Sequence, residues 1–261
     1  MKIGLVTYTP EKVEGFDIHV YYSKRADGSV FPAAEEMQND VTCFCDAEAI
    51  REKPEIVAVS SSGPALRRNR KINVPFDFVC PTNPEYRAKV LNYIKEISRE
   101  NIEGVTLNLY HFPEEEFCTC PRCVELWRKS GLNWVDWRAK TVIEFLAEVR
   151  ERVVGKPLFV NCLPDPVLGK VRFGYDFDAM AEYADYFVVP MFSKAYPTPW
   201  YWETLARAFK SILKKPMFVN FYVRGPGETW ETVAPHRQIM TVATRAARTG
   251  IDGIIFLAEK A

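Results

Sequence analysis

Apolar and polar positions alternate in two periods from the middle of the chain onward. Short, nearly continuous apolar runs occupy residues 105–109, 157–162, 186–191, 216–223 and 253–257. Their length and their β-branched and aromatic content predict strands buried on both faces. Between them lie stretches of helical period at 134–153, 178–184, 199–213 and 229–249. In the first of these, Val142, Phe145, Leu146 and Val149 recur on one face. Strands alternating with helices of this length predict βαβ units and a parallel sheet.

The first half is less regular. Residues 2–8 predict a strand, and 41–45 and 76–80 predict a second and a third. Asn83-Pro84-Glu85 supplies a cap, a proline suited to the first helical position and an acid for the first turn, so a helix should run from there to about residue 99. Segment 17–31 reads as a β-hairpin turning at Asp27-Gly28, and 55–66 as a second extended excursion turning near Ser62-Gly63-Pro64. That leaves a short first barrel helix, 33–38. Strands starting at 2, 41, 76, 105, 157, 186, 216 and 253 make eight. Eight βα units in a chain of 261 residues predict an α/β fold, a (β/α)₈ TIM barrel in one domain over 1–261, irregular in its first half with β-hairpin insertions. An incomplete or distorted barrel is the alternative.

Composition narrows the function classes. Lys+Arg and Asp+Glu are both 34, so the basic excess of a general nucleic-acid binder is missing; the run Arg67-Arg68-Asn69-Arg70-Lys71 reads as a solvated loop. No apolar run reaches the roughly eighteen residues of a membrane span, and the first residues read as a strand, so the expected setting is cytoplasmic. Two glutamines against abundant Glu, Lys and Arg hint at a thermophilic source. Seven cysteines in such a chain point to metal ligands or buried thiols more than to a disulfide framework.

One stretch carries a family resemblance. Cys80-Pro81-Thr82-Asn83-Pro84-Glu85-Tyr86-Arg87, then Gly104-Val105-Thr106-Leu107-Asn108-Leu109-Tyr110-His111-Phe112-Pro113, then Cys118-Thr119-Cys120-Pro121-Arg122-Cys123 and Asp136-Trp137-Arg138 resemble the glycosyl-hydrolase-like TIM barrels related to the α-amylase and α-galactosidase superfamilies. In those a CPNNPEYR-like segment opens a helix, a GIHLDYIRFP-like fourth strand follows, and a cysteine-bearing segment comes after it. The match covers the third to fifth units; Ala184-Asp185-Tyr186 with Pro190-Met191, and Gly250-Ile251-Asp252-Gly253-Ile254, resemble the sixth and eighth strands. The resemblance implies a carbohydrate as ligand or substrate. This chain departs from the pattern where the family carries Asp and Arg: it has Asn108 and His111. If that Asp is the working carboxylate, another acid has replaced it or the chain is not a standard glycosidase.

In barrels the site lies where the strands end. Glycoside hydrolysis needs two carboxyls, one protonated and one ionised. Position selects Asp165 and Glu259, with Glu228 third and His111 as a further acid/base candidate. Asn108, Tyr110, Asn161, Tyr222, Arg224 and Trp200 are the candidate substrate contacts, the aromatics by stacking on sugar faces. Asp165 between two prolines also suits a turn cap, and His111 also suits the core. Cys118-x-Cys120-x-x-Cys123 gathers three thiolates in one loop, with Cys80 the natural fourth ligand and Cys43 and Cys45 next. A structural zinc is the leading expectation, ahead of an iron–sulfur cluster, disulfides or free thiols. Three readings follow: a glycoside-hydrolase-like barrel, a carbohydrate-binding barrel that lost its fourth-strand Asp, and a metal-dependent enzyme using the cysteine-bound ion.

Overall fold

The computed structural model describes residues 1–72, 75–225 and 228–259. Its centre is a closed barrel of eight parallel strands. Three come from the first part of the chain: β1 (Lys2–Thr7), β2 (Ile18–Lys24) and β3 (Gln38–Thr42). A long connection follows, containing α1 (Ala47–Glu52), the two-stranded antiparallel pair β4 (Val59–Ser60) and β5 (Gly63–Pro64), and α2 (Pro84–Ile97). The remaining units are β6 (Gly104–Asn108), α3 (Pro121–Ser130), α4 (Trp134–Arg150) and β7 (Leu158–Asn161). Then come α5 (Gly169–Phe173), α6 (Phe177–Met180), β8 (Tyr186–Met191), α7 (Pro199–Ile212), β9 (Met217–Arg224), α8 (His236–Ala247) and β10 (Gly253–Ala258). Around the barrel the order is β1-β10-β9-β8-β7-β6-β3-β2.

The predicted count of eight strands holds, but one member changes. Ile18–Lys24, expected as a hairpin arm, is a barrel strand paired in parallel with β1 and β3. The turn that suggested a hairpin exists: Lys24 bridges Val30, and the Arg25 amide donates to the Ser29 carbonyl. It caps the strand and does not return it. The expected third strand, residues 76–80, lies outside the barrel. It makes isolated bridges, Phe78 to Cys45 and Val79 to Val57, and covers the long β3–α2 connection. The expected helix at 33–38 is a turn: Asn39 accepts from the Ala34 amide and donates to the Ala34 and Met37 carbonyls, so its side chain takes backbone groups that a helix would pair along the chain. The Asn83 cap is as predicted, its Oδ1 accepting from the Tyr86 amide at 2.9 Å.

Two apolar clusters hold these layers. Val6, Val20, Phe159, Val188, Phe218, Ile255 and Leu257 fill the barrel's interior. A larger cluster, including Val105, Leu107, Val160, Phe187 and Val219 with Val142, Phe145, Leu205 and Val242, joins the outer strand faces to the helices. The period-2 alternation along each strand therefore sorts side chains between a barrel interior and a helix layer. It also determines which side chains reach the open end.

Candidate functional site

A cleft of about 860 Å³ opens where the barrel strands end. Inward-facing positions build its floor: Tyr8 and Tyr22 after or on β1 and β2, Thr42 on β3, Asn108 on β6, Asn161 on β7, Asn220 and Tyr222 on β9. The β1–β2 side carries aromatic rings, Tyr8 and Tyr22 with centroids 5.0 Å apart. Arg25 bonds the Tyr8 carbonyl at 2.8 Å and lies over the Tyr8 and Phe31 rings. Phe192 packs on Tyr222 on the opposite side.

Below the floor lies a carboxyl that sequence reading missed. Asp40 on β3 is 2% exposed, and its Oδ2 accepts from Asn161 Nδ2 at 3.3 Å while its Oδ1 has no partner. Burial pushes its pKa well above the usual carboxylate range, against the opposing Asn161 bond. The missed signal was positional: with β3 at Gln38–Thr42 rather than 41–45, Asp40 and Thr42 alternate inward.

The cleft wall is an ionic arch. Arg172 donates to Asp165 at 2.7 Å and to both oxygens of Glu114, Nε at 3.0 Å. Asp165 also accepts from the Val167 and Leu168 amides. Burial alone would raise the Asp165 carboxyl; the guanidinium and the two amides outweigh it and hold the group below its ordinary value. Asp165 and Arg172 line the cleft. Behind them Arg138 is fully buried, donating to the carbonyls of Val171, Glu114 and Arg172 at 2.5, 2.6 and 2.7 Å and lying over the Phe112 ring. Desolvation draws its pKa down to about 9, so it remains charged at neutral pH.

The other candidates fall at varied depths. Glu228 is a rim staple: it accepts from the Tyr222 hydroxyl, from the Gly225 amide at 3.1 Å and from Lys194 at 2.6 Å. Hydrogen bonds from Lys194 and Tyr222 bring its pKa down to about 2. Arg224 reaches the Glu259 carbonyl at 2.5 Å, and the Glu259 carboxylate contributes to raising the Tyr8 pKa, which burial pushes to about 12. His111 and Tyr110 lie in the helix layer, 1% and 0% exposed, away from the cleft lining. Tyr110 pairs with the Cys162 thiol at 3.4 Å; His111 bonds the Phe112 carbonyl at 2.6 Å, and burial lowers its pKa to about 4. Trp200 is 62% exposed on α7, outside the cleft lining.

The four cysteines meet as the spacing suggested. The sulfurs of Cys80, Cys118, Cys120 and Cys123 all lie within 4.8 Å of one another, with Cys80 3.8 Å from Cys120 and 3.4 Å from Cys123. Sulfurs about 2.3 Å from a tetrahedral ion stand about 3.8 Å apart. A disulfide would need about 2.05 Å, and all seven cysteines are free. The Val59 amide donates to Cys118 at 3.4 Å, and Thr82 meets Cys123 at 3.2 Å. Hydrogen bonds from Cys118 and the other two thiols hold Cys120 well below the usual thiol range. The set is able to hold a metal ion. None of the four lines the cleft.

No protein-family model and no curated protein matches this sequence. Solved structures do. The chain is similar to α-L-fucosidase isoenzyme 2 from Paenibacillus thiaminolyticus at 15% identity and a TM-score of 0.63, over 94% of this chain and 41% of that one. It therefore spans about two fifths of the fucosidase. It is similar to the glycoside hydrolase domain of PelA from Pseudomonas aeruginosa at 15% identity and a TM-score of 0.54, over 98% of this chain and 94% of that one. It is also similar to Ega3 from Aspergillus fumigatus, in complex with galactosamine, at 8% identity and a TM-score of 0.56, over 98% of this chain and 90% of that one. At these identities the likeness establishes the barrel fold, shared with glycoside hydrolases. Among the described residues no helix is long and apolar enough to cross a membrane.

Proposed function

We propose that this barrel binds a carbohydrate in the cleft at its strand ends and acts on it as a glycoside hydrolase. The carrying observation is the cleft's chemistry: three amides, Asn108, Asn161 and Asn220, on a floor flanked by Tyr8, Tyr22 and Tyr222. Amides that both donate and accept suit sugar hydroxyls, and flat rings suit sugar faces. Asp165, held ionised beside Arg172, is the basic carboxylate; Glu259, which follows β10 next to the cleft without lining it, is the second carboxyl. A panel of chromogenic glycosides tests this. One member should be cleaved by the wild type and not by Glu259→Gln; a silent panel refutes the hydrolase.

One observation favours binding without turnover. Asn108 stands at the cleft where the resembling family carries Asp, and the Asp165 carboxylate is already committed to Arg172 and two amides. On that reading Asn108→Asp restores cleavage to a barrel that binds the same glycan either way. The cysteine set holds a structural zinc: four thiolates leave no open position for substrate, which weighs against the metal-dependent enzyme. Near-stoichiometric zinc in the purified protein is expected, and a metal-free protein with unchanged melting rules it out. Free thiols of this kind suit a reducing, cytoplasmic setting.

A further inference from the structure

The strand order places β9, β7 and β3 at alternate positions around the barrel. In an eight-stranded barrel, alternate strands contribute the side chains of one interior layer, which is ordinarily filled by branched aliphatic residues. Here those strands contribute Asn220, Asn161 and Asp40. Asn161 and Asn220 both line the cleft. Asn220 is 5% exposed, and its Oδ1 has no donor. Asn161 turns its Nδ2 toward the Asp40 carboxyl, so its own Oδ1 faces away from Asp40. An apolar layer would pack without the unmet Asn220 Oδ1, so its presence beneath an open cleft, beside the Asn161 amide, calls for a donor from outside the protein.

We infer that the amide oxygens of Asn161 and Asn220 form a two-acceptor subsite at the cleft floor for a hydrogen-bond donor on a sugar ring, and that Asp40 is the positioning residue that sets the Asn161 amide. This rests on the carbohydrate reading and goes beyond it, because it assigns the floor to donor groups, hydroxyl or ammonium, rather than to acceptors. The Asp40 carboxyl does not line the cleft; it acts through Asn161. The role of Asp40 therefore needs an acceptor oxygen, not a charge.

Calorimetric titration with galactose and with galactosamine tests the subsite in the wild type and in Asn220→Leu, Asp40→Leu and Asp40→Asn. The wild type should bind at least one of the two. Equal binding assigns the donor to a shared hydroxyl; preference for galactosamine assigns it to the ammonium. Asn220→Leu and Asp40→Leu should each weaken binding about tenfold, the usual scale for stranding a buried hydrogen-bonding partner. Asp40→Asn should recover most of that loss, since an amide oxygen still accepts from Asn161. Asn220→Leu should melt no lower than the wild type, because it removes an unmet polar atom; Asp40→Leu also removes one but leaves the Asn161 Nδ2 without its acceptor, so it should melt no more than a few degrees lower. Binding that both leucine variants leave intact overturns the subsite alone. A wild type that binds neither sugar overturns it as stated, while the glycoside panel still decides the broader reading. Asp40→Leu melting far below the wild type overturns the positioning role, with Asn220→Leu then carrying the test of the acceptor pair.

Discussion

Arg138→Met removes a buried cation from the junction of two cleft loops while keeping an apolar stem against Phe112 and Trp134, over which the guanidinium lies at 4.7 and 5.9 Å. The loss is three hydrogen bonds, to Val171, Glu114 and Arg172. Bonds from a charged donor contribute about 1.5–3 kcal/mol each. They share one side chain and are not additive, and some stranded carbonyls will rehydrate. The expected cost is therefore about 3–5 kcal/mol, less than the sum. In a domain of this size each kcal/mol moves the melting temperature by roughly 2 °C, so thermal unfolding followed by circular dichroism should show a drop of about 6–10 °C. Arg138→Lys should fall between, because one ammonium cannot span three carbonyls that a planar fork reaches. The variant should also loosen Arg172 and let the Asp165 pKa drift up toward its ordinary value, visible by carbon-13 NMR of the carboxyl. An Arg138→Met protein melting within about 2 °C of the wild type would refute the reasoning, as would full recovery by lysine.

Three further outcomes are expected. Folded Asp40 keeps its proton above the pH at which the unfolded chain loses it, so the folded state binds more protons and stability falls as pH rises past about 4; Asp40→Asn should flatten that slope in chemical denaturation measured across pH. Asp165 has the opposite sign: its stabilisation is present above about pH 4 and lost as pH falls through its depressed folded pKa, so Asp165→Asn should be destabilising at pH 7 and nearly neutral in strong acid. If the four thiolates hold a metal, Cys123→Ser should release it and lower the melting temperature, and a strong chelator should reproduce that shift in the wild type but not in the variant.

The second half of the fold was legible because each strand there is a short apolar run and each helix a longer amphipathic one, so period and length agree. The first half was not, because β2 and β3 carry His19, Ser23, Lys24, Gln38, Asn39 and Asp40 as buried polar residues. Those side chains are satisfied or tolerated only by the closed barrel, and a local reading sees them as turn or surface. The apolar segment 76–80 took the vacated place in the count, since hydrophobicity alone does not say which sheet a strand joins. The cysteine cluster was legible because three ligands are local and the fourth ends a neighbouring segment. His111 and Tyr110 misled because the chain bends at Leu109, where φ is +49°, and turns the following residues into the helix layer. Asp40 was hidden by a three-residue error in where β3 begins.

The cysteine cluster and Arg138 act on the same stretch of chain from opposite ends. The β6–α3 loop begins at the cleft, where Glu114 takes Arg172 by its side chain and Arg138 by its carbonyl. It ends at Cys118 and Cys120, with Cys123 just inside α3, and there Thr119 also bonds the Val59 carbonyl at 2.7 Å and Cys118 receives the Val59 amide. Trp134 on α4 ties the middle by donating to the Glu115 carbonyl at 3.1 Å. A loop of this length without regular structure would ordinarily be mobile. Holding it at both ends and once between fixes Glu114, and through Arg172 fixes Asp165 on the cleft wall. A metal bound by the four thiolates would therefore do its work as one end of a brace whose other end is the ionic arch, which is why a site with no open coordination position can still matter to what the cleft holds.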